Sequence, residues 1–495
     1  MLFNSYAFIF AFLPVALAGF FAAARWAGAK AALGFLVAAS GFFYGWWNPR
    51  YLLLIALSIA VNFVLGTSLA KTAALGPVVA RRARLWLGVA FNLGLLGYYK
   101  YANFVVDTVN WTGGWRITVD RIVLPLAISF FTFQQIAFLV DAWRGKARPY
   151  RLHEYTFLVT FFPHLIAGPI VQHGDLLSQL TEKVFRPDRR NLAIGASYFV
   201  IGLFKKVVVA DSIAPWVGPV YDAHGGGAGA LLAWQATVAY SLQLYFDFSG
   251  YSDMAIGLAR LFNFRFPVNF NSPYKATSVI DFWRRWHMSL SRFLREYLYF
   301  SLGGGRRGPV RRYTNLMLTM LLGGLWHGAG WGFVLWGGLN GLFLMVNHGF
   351  RWLRGAGESE DDAPRGHWLA TEASVLLTFV AIMFSRVFFR APDLDSALAV
   401  LKSLLGFGPE AAAVASLAPW LVLVGLWIAC RVLPNSQELL AGLEPQATAT
   451  TTRLSAAPAW LRWSLTPRWA AVTALLAGVA LLNLDRVSAF LYFQF

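Results

Sequence analysis

The stretch YTNLMLTMLLGGLWHGAGWGFVLWGGLNGLFLMVNHGF, residues 313–350, contains no Asp, Glu, Lys or Arg. A membrane-crossing helix needs about 20 apolar residues, so this run is long enough for one long or two short spans. At its centre stands GGLWHGAGWGF (323–333), which places His327 between Trp326 and Trp331 among small residues. A buried neutral imidazole needs a donor and an acceptor, and leaving it unpaired costs about 1–3 kcal/mol. Ionisable groups inside membrane segments usually mark function. Glycines 323, 324, 328 and 330 clear space beside it for a substrate or for another backbone.

The rest of the chain has the same character. Of 495 residues, 57% are hydrophobic and 13% charged, with a mean hydropathy of +0.53. Soluble domains carry about 25% charged residues, so the composition points to an all-α, polytopic transmembrane protein of about 11–13 spans. The net charge of +18 does not argue for nucleic acid, because Lys and Arg gather in the cytoplasmic loops of membrane proteins. There they meet anionic lipid or a phosphorylated cytosolic ligand. The single cysteine, Cys430, excludes an internal disulfide and a zinc–thiolate cluster. The first segment, LFNSYAFIFAFLPVALAGFF, lacks a basic region ahead of its apolar stretch and reads as a first span, not a cleaved signal.

Hydropathy places spans near 3–22, 31–47, 51–70, 85–101, 121–141, 192–209, 228–247, 250–264, 313–347, 369–388, 417–433 and 469–485. Basic residues follow the first, third and fifth (Arg25 and Lys30; Lys71, Arg81, Arg82 and Arg84; Arg144, Lys146, Arg148 and Arg151), whereas the loops at 48–50 and 102–120 are poor in them. That alternation sets the N-terminus outside and the basic loops inside. The run YTFLVTFFPHLIAGPIV (155–171) has basic loops on both sides and is interrupted by Pro163, Gly168 and Pro169. It reads as a re-entrant helix pair, tolerated at membrane depth only against protein or a water-filled cavity, with a kinked ordinary span as the alternative. RGAGESEDDAPRGH (354–367) and SQELLAGLEPQATATTTRLSAAP (436–458) read as an exposed loop and a mobile polar stretch. No large soluble domain remains, so 1–495 is read as one membrane domain: N-terminal spans to 154, a catalytic core at 155–350, and C-terminal spans from 351.

Between Lys275 and Arg312 lie nine Lys/Arg and two acids, Asp281 and Glu296. Ser278 followed three residues later by Asp281 starts a helix. On one continuous wheel Trp283, Trp286, His287, Leu290 and Leu294 share a face, and Arg284, Arg285, Arg292 and Arg295 share the opposite one. Such a helix lies along the membrane surface. His287 alone reads more readily as a core histidine bonded to a backbone carbonyl than as a functional one. The arginines could equally anchor the helix on anionic lipid. Asp247 and Asp253 sit in or beside an apolar segment and need partners, for which Lys275 or Arg260 could serve.

DFWRRWHMSLSRFLREYLY, LWHGAGWGFVLWG, YFDFSGYSDMAIGLARLFNFRFPVNFNSPY (245–274) and FFPHLIAGPIV (161–171) together resemble the membrane-bound O-acyltransferases. The branch is that of the bacterial alginate O-acetyltransferase subunit and its polysaccharide-acetylating relatives, and the likeness extends to the terminal LYFQF. The resemblance implies that His327 corresponds to the family's invariant catalytic histidine and that His287 holds the second active-site position. Asn340 and His164 stand where close relatives often carry histidine and glutamine, which leaves the acceptor open. The family also implies a bacterial inner-membrane enzyme with a central tunnel and acetyl-CoA as co-substrate, with no resident cofactor or metal. Its partners would be an SGNH-type periplasmic acetyltransferase, a polysaccharide acceptor and membrane lipid.

On this reading His327 is the general base toward a hydroxyl, since imidazole titrates near working pH. His287 orients the donor or stabilises the oxyanion. Arg284, Arg285, Arg292 and Arg295, with Arg306 and Arg307, are candidates to attract the donor phosphates, and Trp283 and Trp326 to line the substrate path. A polytopic transporter or flippase is the competing class, because broken helices and buried histidines occur there too.

Overall fold

The computed structural model describes residues 1–73, 76–222, 228–355, 367–409, 416–440, 457–486 and 490–491. Among them the regular elements are all helices, as the apolar periodicity requires. The acidic stretch at 356–366 and the polar stretch at 441–456 lie outside the described residues. The folded chain divides into two compact units. One comprises Met1–Leu203, Tyr251–Pro267 and Leu465–Val487; the other comprises Phe204–Gly250, Val268–Ser464 and Ser488–Phe495.

Among the described residues, four helical stretches are by length and composition able to cross a membrane: Ala7–Gly45, Arg50–Lys71, Arg189–Trp216 and Trp368–Arg390. Two shorter apolar helices, Leu417–Val432 and Pro467–Leu482, match further expected spans. The Ala7–Gly45 stretch is too long for one crossing at 1.5 Å per residue. It breaks at Gly28, whose φ of 84° lies outside the helical region, and a Cβ on Gly19 would strike the ring of Phe35 at 2.1 Å. Residues sixteen apart cannot meet on a straight helix, so the chain folds back at Gly28, between the two expected spans.

The first unit is held by phenylalanines. Phe3, Phe8, Phe12, Phe43 and Phe162 meet in stacked, tilted and edge-on pairs, with ring centroids 5.0–6.5 Å apart. The segment at 155–171 is buried almost throughout. Its helix Leu152–Thr160 has only nine residues, and the chain turns at Phe161 (ψ 109°) into the single turn Phe162–Leu165. Nine residues span about 14 Å, less than the ~30 Å hydrocarbon core, in keeping with a segment that enters without crossing.

Three expectations are corrected. Residues 121–127 are not helical; the helix after them is Ile128–Trp143. The two spans expected at 228–247 and 250–264 are one helix, Ala230–Leu261. Ser249–Gly250 does not stop it, because a glycine costs a packed helix only about 1 kcal/mol. The third concerns the basic block. Ser278 does cap a helix, its Oγ accepting the Asp281 N–H at 3.1 Å. That helix, Val279–Arg285, then ends at Trp286, and His287 adopts a left-handed conformation (φ 45°, ψ 53°) before a new helix starts at Met288. One continuous wheel therefore does not describe 278–300.

The second unit contains the charge-free hairpin. Pro309–His327 and Trp331–Leu353 are two helices, separated by extended backbone at Gly328 and Gly330. They cross at glycines: a Cβ on Gly324 would lie 2.2 Å from the Phe333 carbonyl oxygen, and one on Gly337 would lie 2.3 Å from that of Met320. The same unit buries Lys206 between Asp211 (2.6 Å) and Asp247 (2.8 Å). Lys206, and not Lys275, is thus the partner of Asp247. Lys275 lies 3.7 Å from Glu438.

Candidate active site

His327 is the last residue of its helix and 5% exposed. Its ring packs edge-on against Trp336 (5.0 Å, 87°) and Phe389 (5.4 Å), and beside Trp326 (4.9 Å). The His287 ring centroid is 6.3 Å away. The two histidines singled out from sequence, forty residues apart, are neighbours. The close crossing at Gly324 and Gly337 brings Trp336 to His327, so those glycines serve the approach of a backbone. Gly323 instead lines a cavity.

His287 is fully buried. Its Nδ1 lies 3.1 Å from Asn269 Oδ1. The same oxygen accepts the backbone N–H (3.3 Å) and the hydroxyl (2.9 Å) of Ser289. An atom that receives a backbone N–H is the amide oxygen, so Nδ1 of His287 carries the hydrogen and Nε2 carries the lone pair. Burial pushes its pKa down to about 3, which keeps the imidazole neutral at any physiological pH. Of the two tasks considered from sequence, oxyanion stabilisation is unsuited to this tautomer, because Nε2 has no hydrogen to give. The left-handed backbone at His287, costing about 1–2 kcal/mol, is offset locally by the Asn269 side chain and by the Met288 N–H bonding to the Asn269 carbonyl (3.0 Å).

A cavity of about 260 Å³ opens beside His327. Trp283, Leu290, Leu294, Met320, Gly323, Trp336 and Leu344 make its apolar wall, and Arg284 and Arg295 also line it. The break at His287 has turned residues from both faces of the expected wheel onto one space. The other candidates fall outside it. Arg285 pairs with Asp281 (2.8 Å) and donates to the Asn271 carbonyl (3.3 Å). Arg292, Arg306 and Arg307 do not line the cavity, and Trp326 packs on the two histidine rings instead.

A second, much smaller chamber of about 10 Å³ lies against His327, walled by Leu244, Phe282, Trp283, Trp286, Trp336, Ile382 and Phe389 and reached by Asn340 and Arg386. Asn340 donates to the Trp336 carbonyl (2.8 Å) and to Ser385 Oγ (3.2 Å). Arg386 was missed from sequence. The available signal was a lone arginine inside the apolar run 369–388. His164, in the other unit, is buried with Nε2 2.9 Å from the Leu158 carbonyl and lines its own small cavity.

The family model for MBOAT, the membrane-bound O-acyltransferase family, matches residues 146–356, which include both histidines and the wall of the larger cavity. The peptidoglycan O-acetyltransferase of Helicobacter pylori is 42% identical over 82% of this chain and 80% of its own length. The chain belongs to the membrane-bound O-acyltransferase family. A probable alginate O-acetylase of Pseudomonas putida is 36% identical over the whole of both chains. The teichoic acid D-alanyltransferase of Bacillus subtilis is 26% identical over 53% of this chain and 68% of its own. As a membrane-bound O-acyltransferase, this all-α protein is an enzyme that moves an acyl group onto a hydroxyl.

Proposed function

We propose that the protein is a multi-pass enzyme of the bacterial inner membrane that takes acetyl from cytosolic acetyl-CoA and delivers it toward a periplasmic hydroxyl. The final acceptor is an exopolysaccharide such as alginate, and an SGNH-type periplasmic transferase completes the delivery. The observation that carries the reading is one cavity whose lining includes both Arg284 and Arg295 and, with them, His327. The guanidinium groups suit the donor phosphates, the apolar wall suits its pantetheine arm, and the imidazole suits the thioester end. Relatives named for O-acetylation of alginate and of peptidoglycan support acetyl as the group moved.

His327 takes the proton of the attacking hydroxyl as its oxygen bonds to the acetyl carbon. The C–S bond then breaks, its electron pair leaves on sulfur, and the thiolate recovers that proton from His327. Transfer is direct, with no acyl-enzyme. His287, whose ring centroid lies 6.3 Å from that of His327, orients the reacting group beside that imidazole. The test is release of free CoA from acetyl-CoA by the purified protein, compared with His327→Ala and His287→Ala. Both variants should fall at least a hundredfold; equal release from all three removes the base. A second acceptor, peptidoglycan, is favoured by the 42% identity to an enzyme of that name. Acetyl analysis of exopolysaccharide and of cell wall from a deletion strain separates the two.

A further inference from the structure

The small chamber beside His327 has a volume of about 10 Å³, room for about one water-sized group. What surrounds it is unusual for so small a space. Arg386 is 3% exposed, yet among the described residues no carboxylate pairs with it. Its Cζ sits 4.5 Å from the centroid of Trp286, 5.6 Å from that of Tyr274 and 5.7 Å from that of Phe282. Nη1 donates to Tyr274 Oη (2.6 Å) and the Ser241 carbonyl (3.4 Å). Nε and Nη2 have no hydrogen-bond partner among the described residues, and the side chain lines the chamber. Trp283, common to the chamber and the larger cavity, has a buried indole N–H that likewise meets no acceptor among the described residues. The residues that carry this caged cation and this indole donor both line a space the size of one oxygen atom.

We propose that this chamber is an oxyanion site, where Arg386 and the Trp283 N–H hold the acetyl carbonyl oxygen as it becomes negatively charged. The inference rests on the acetyl-CoA reading above and assigns to it the electrostatic task that the tautomer of His287 leaves open. When the hydroxyl oxygen bonds to the carbonyl carbon, the C=O π pair moves to oxygen and the proton goes to His327. When the C–S bond breaks, that pair re-forms the carbonyl and sulfur takes the proton. Arg386 keeps its protons throughout, since a guanidinium stays charged. Its attraction is strongest in the tetrahedral intermediate, so it lowers the barrier without tightening acetyl-CoA binding.

The experiment uses the full-length protein in detergent or nanodiscs. CoA release is followed with water or an added mannuronate oligosaccharide as acceptor, alongside direct binding of CoA and thermal unfolding. Arg386→Gln should lose about a hundred- to a thousandfold in kcat while the CoA Kd stays within about threefold. Arg386→Lys, which keeps the charge, should recover part of the rate. Trp283→Phe should lose about tenfold or more in kcat, and it decides the matter alone if Arg386→Gln does not fold. A kcat within about threefold of wild type for every folded variant overturns the inference, as does a loss of CoA binding equal to the loss of rate. If wild type releases no CoA, or His327→Ala releases as much as wild type, the acetyl-CoA reading itself fails and takes this inference with it. Normal wild type and dead His327→Ala beside an active Arg386→Gln would sink the oxyanion site alone.

Discussion

Adding one methyl group at Gly324 tests whether the helix crossing sets the position of His327. An alanine Cβ there would stand 2.2 Å from the Phe333 carbonyl oxygen, 3.1 Å from Gly337 Cα and 3.2 Å from Gly337 N. All three are backbone atoms, so no side chain can rotate away. Relief to ordinary contact requires the two helices to part by about 1 Å, and overpacking of that kind costs about 1–3 kcal/mol. His327 ends one helix and Trp336 packs on it from the other, so parting the crossing moves the imidazole relative to its wall. A displacement near 1 Å is enough to cost about a hundredfold in rate. The control is one residue away: a Cβ on Gly323 meets only Leu294 Cδ1, at 3.3 Å, and that side chain can yield into the cavity both residues line. In a CoA-release assay with thermal unfolding alongside, Gly324→Ala should lose about a hundredfold in kcat. Gly323→Ala should keep most of the rate, with at most a change in KM. Equal behaviour of the two alanine variants, or a fully active Gly324→Ala, would refute the argument that this crossing places the imidazole.

Two further outcomes follow from the site. Arg284→Glu together with Arg295→Glu should raise the KM for acetyl-CoA at least tenfold, whereas Arg285→Glu should leave KM nearly unchanged and lower thermal stability, because Arg285 is held by Asp281; an unchanged KM in the double variant returns those arginines to lipid anchoring. Asn269→Ala removes the acceptor that fixes the His287 tautomer, so kcat should fall about tenfold or more at constant KM, and an unaltered kcat would show that the ring's orientation does not depend on it.

Much of this protein is legible without coordinates because its signals are local. Apolar runs report membrane-type helices through hydration alone, and the charge-free run at 313–350 places His327 in a dry setting before any contact is known. The Ser278 cap and the pause at Gly328–Gly330 are also short-range: each needs only a few neighbouring residues to satisfy its backbone. The family motifs around His287 and His327 belong to the same class, being continuous strings.

What the tertiary structure decided are relations between distant parts of the chain. Nothing in FWRRWHMS contains a proline or glycine, so a wheel drawn from 278 to 300 looks unbroken. The break at His287 is held by Asn269, eighteen residues earlier, whose side-chain oxygen binds both the ring and the next turn. That break gathers Trp283, Arg284, Leu290 and Arg295 around one cavity, although helical periodicity assigns the arginines and the apolar residues to opposite faces. The partner of Asp247 is Lys206, forty-one residues before it, and Arg386 meets Trp286 a hundred residues away. Periodicity encodes which side of an element avoids water, and it carries no information about which buried charges or glycine surfaces from elsewhere will be brought to meet there; packing alone selects those pairs.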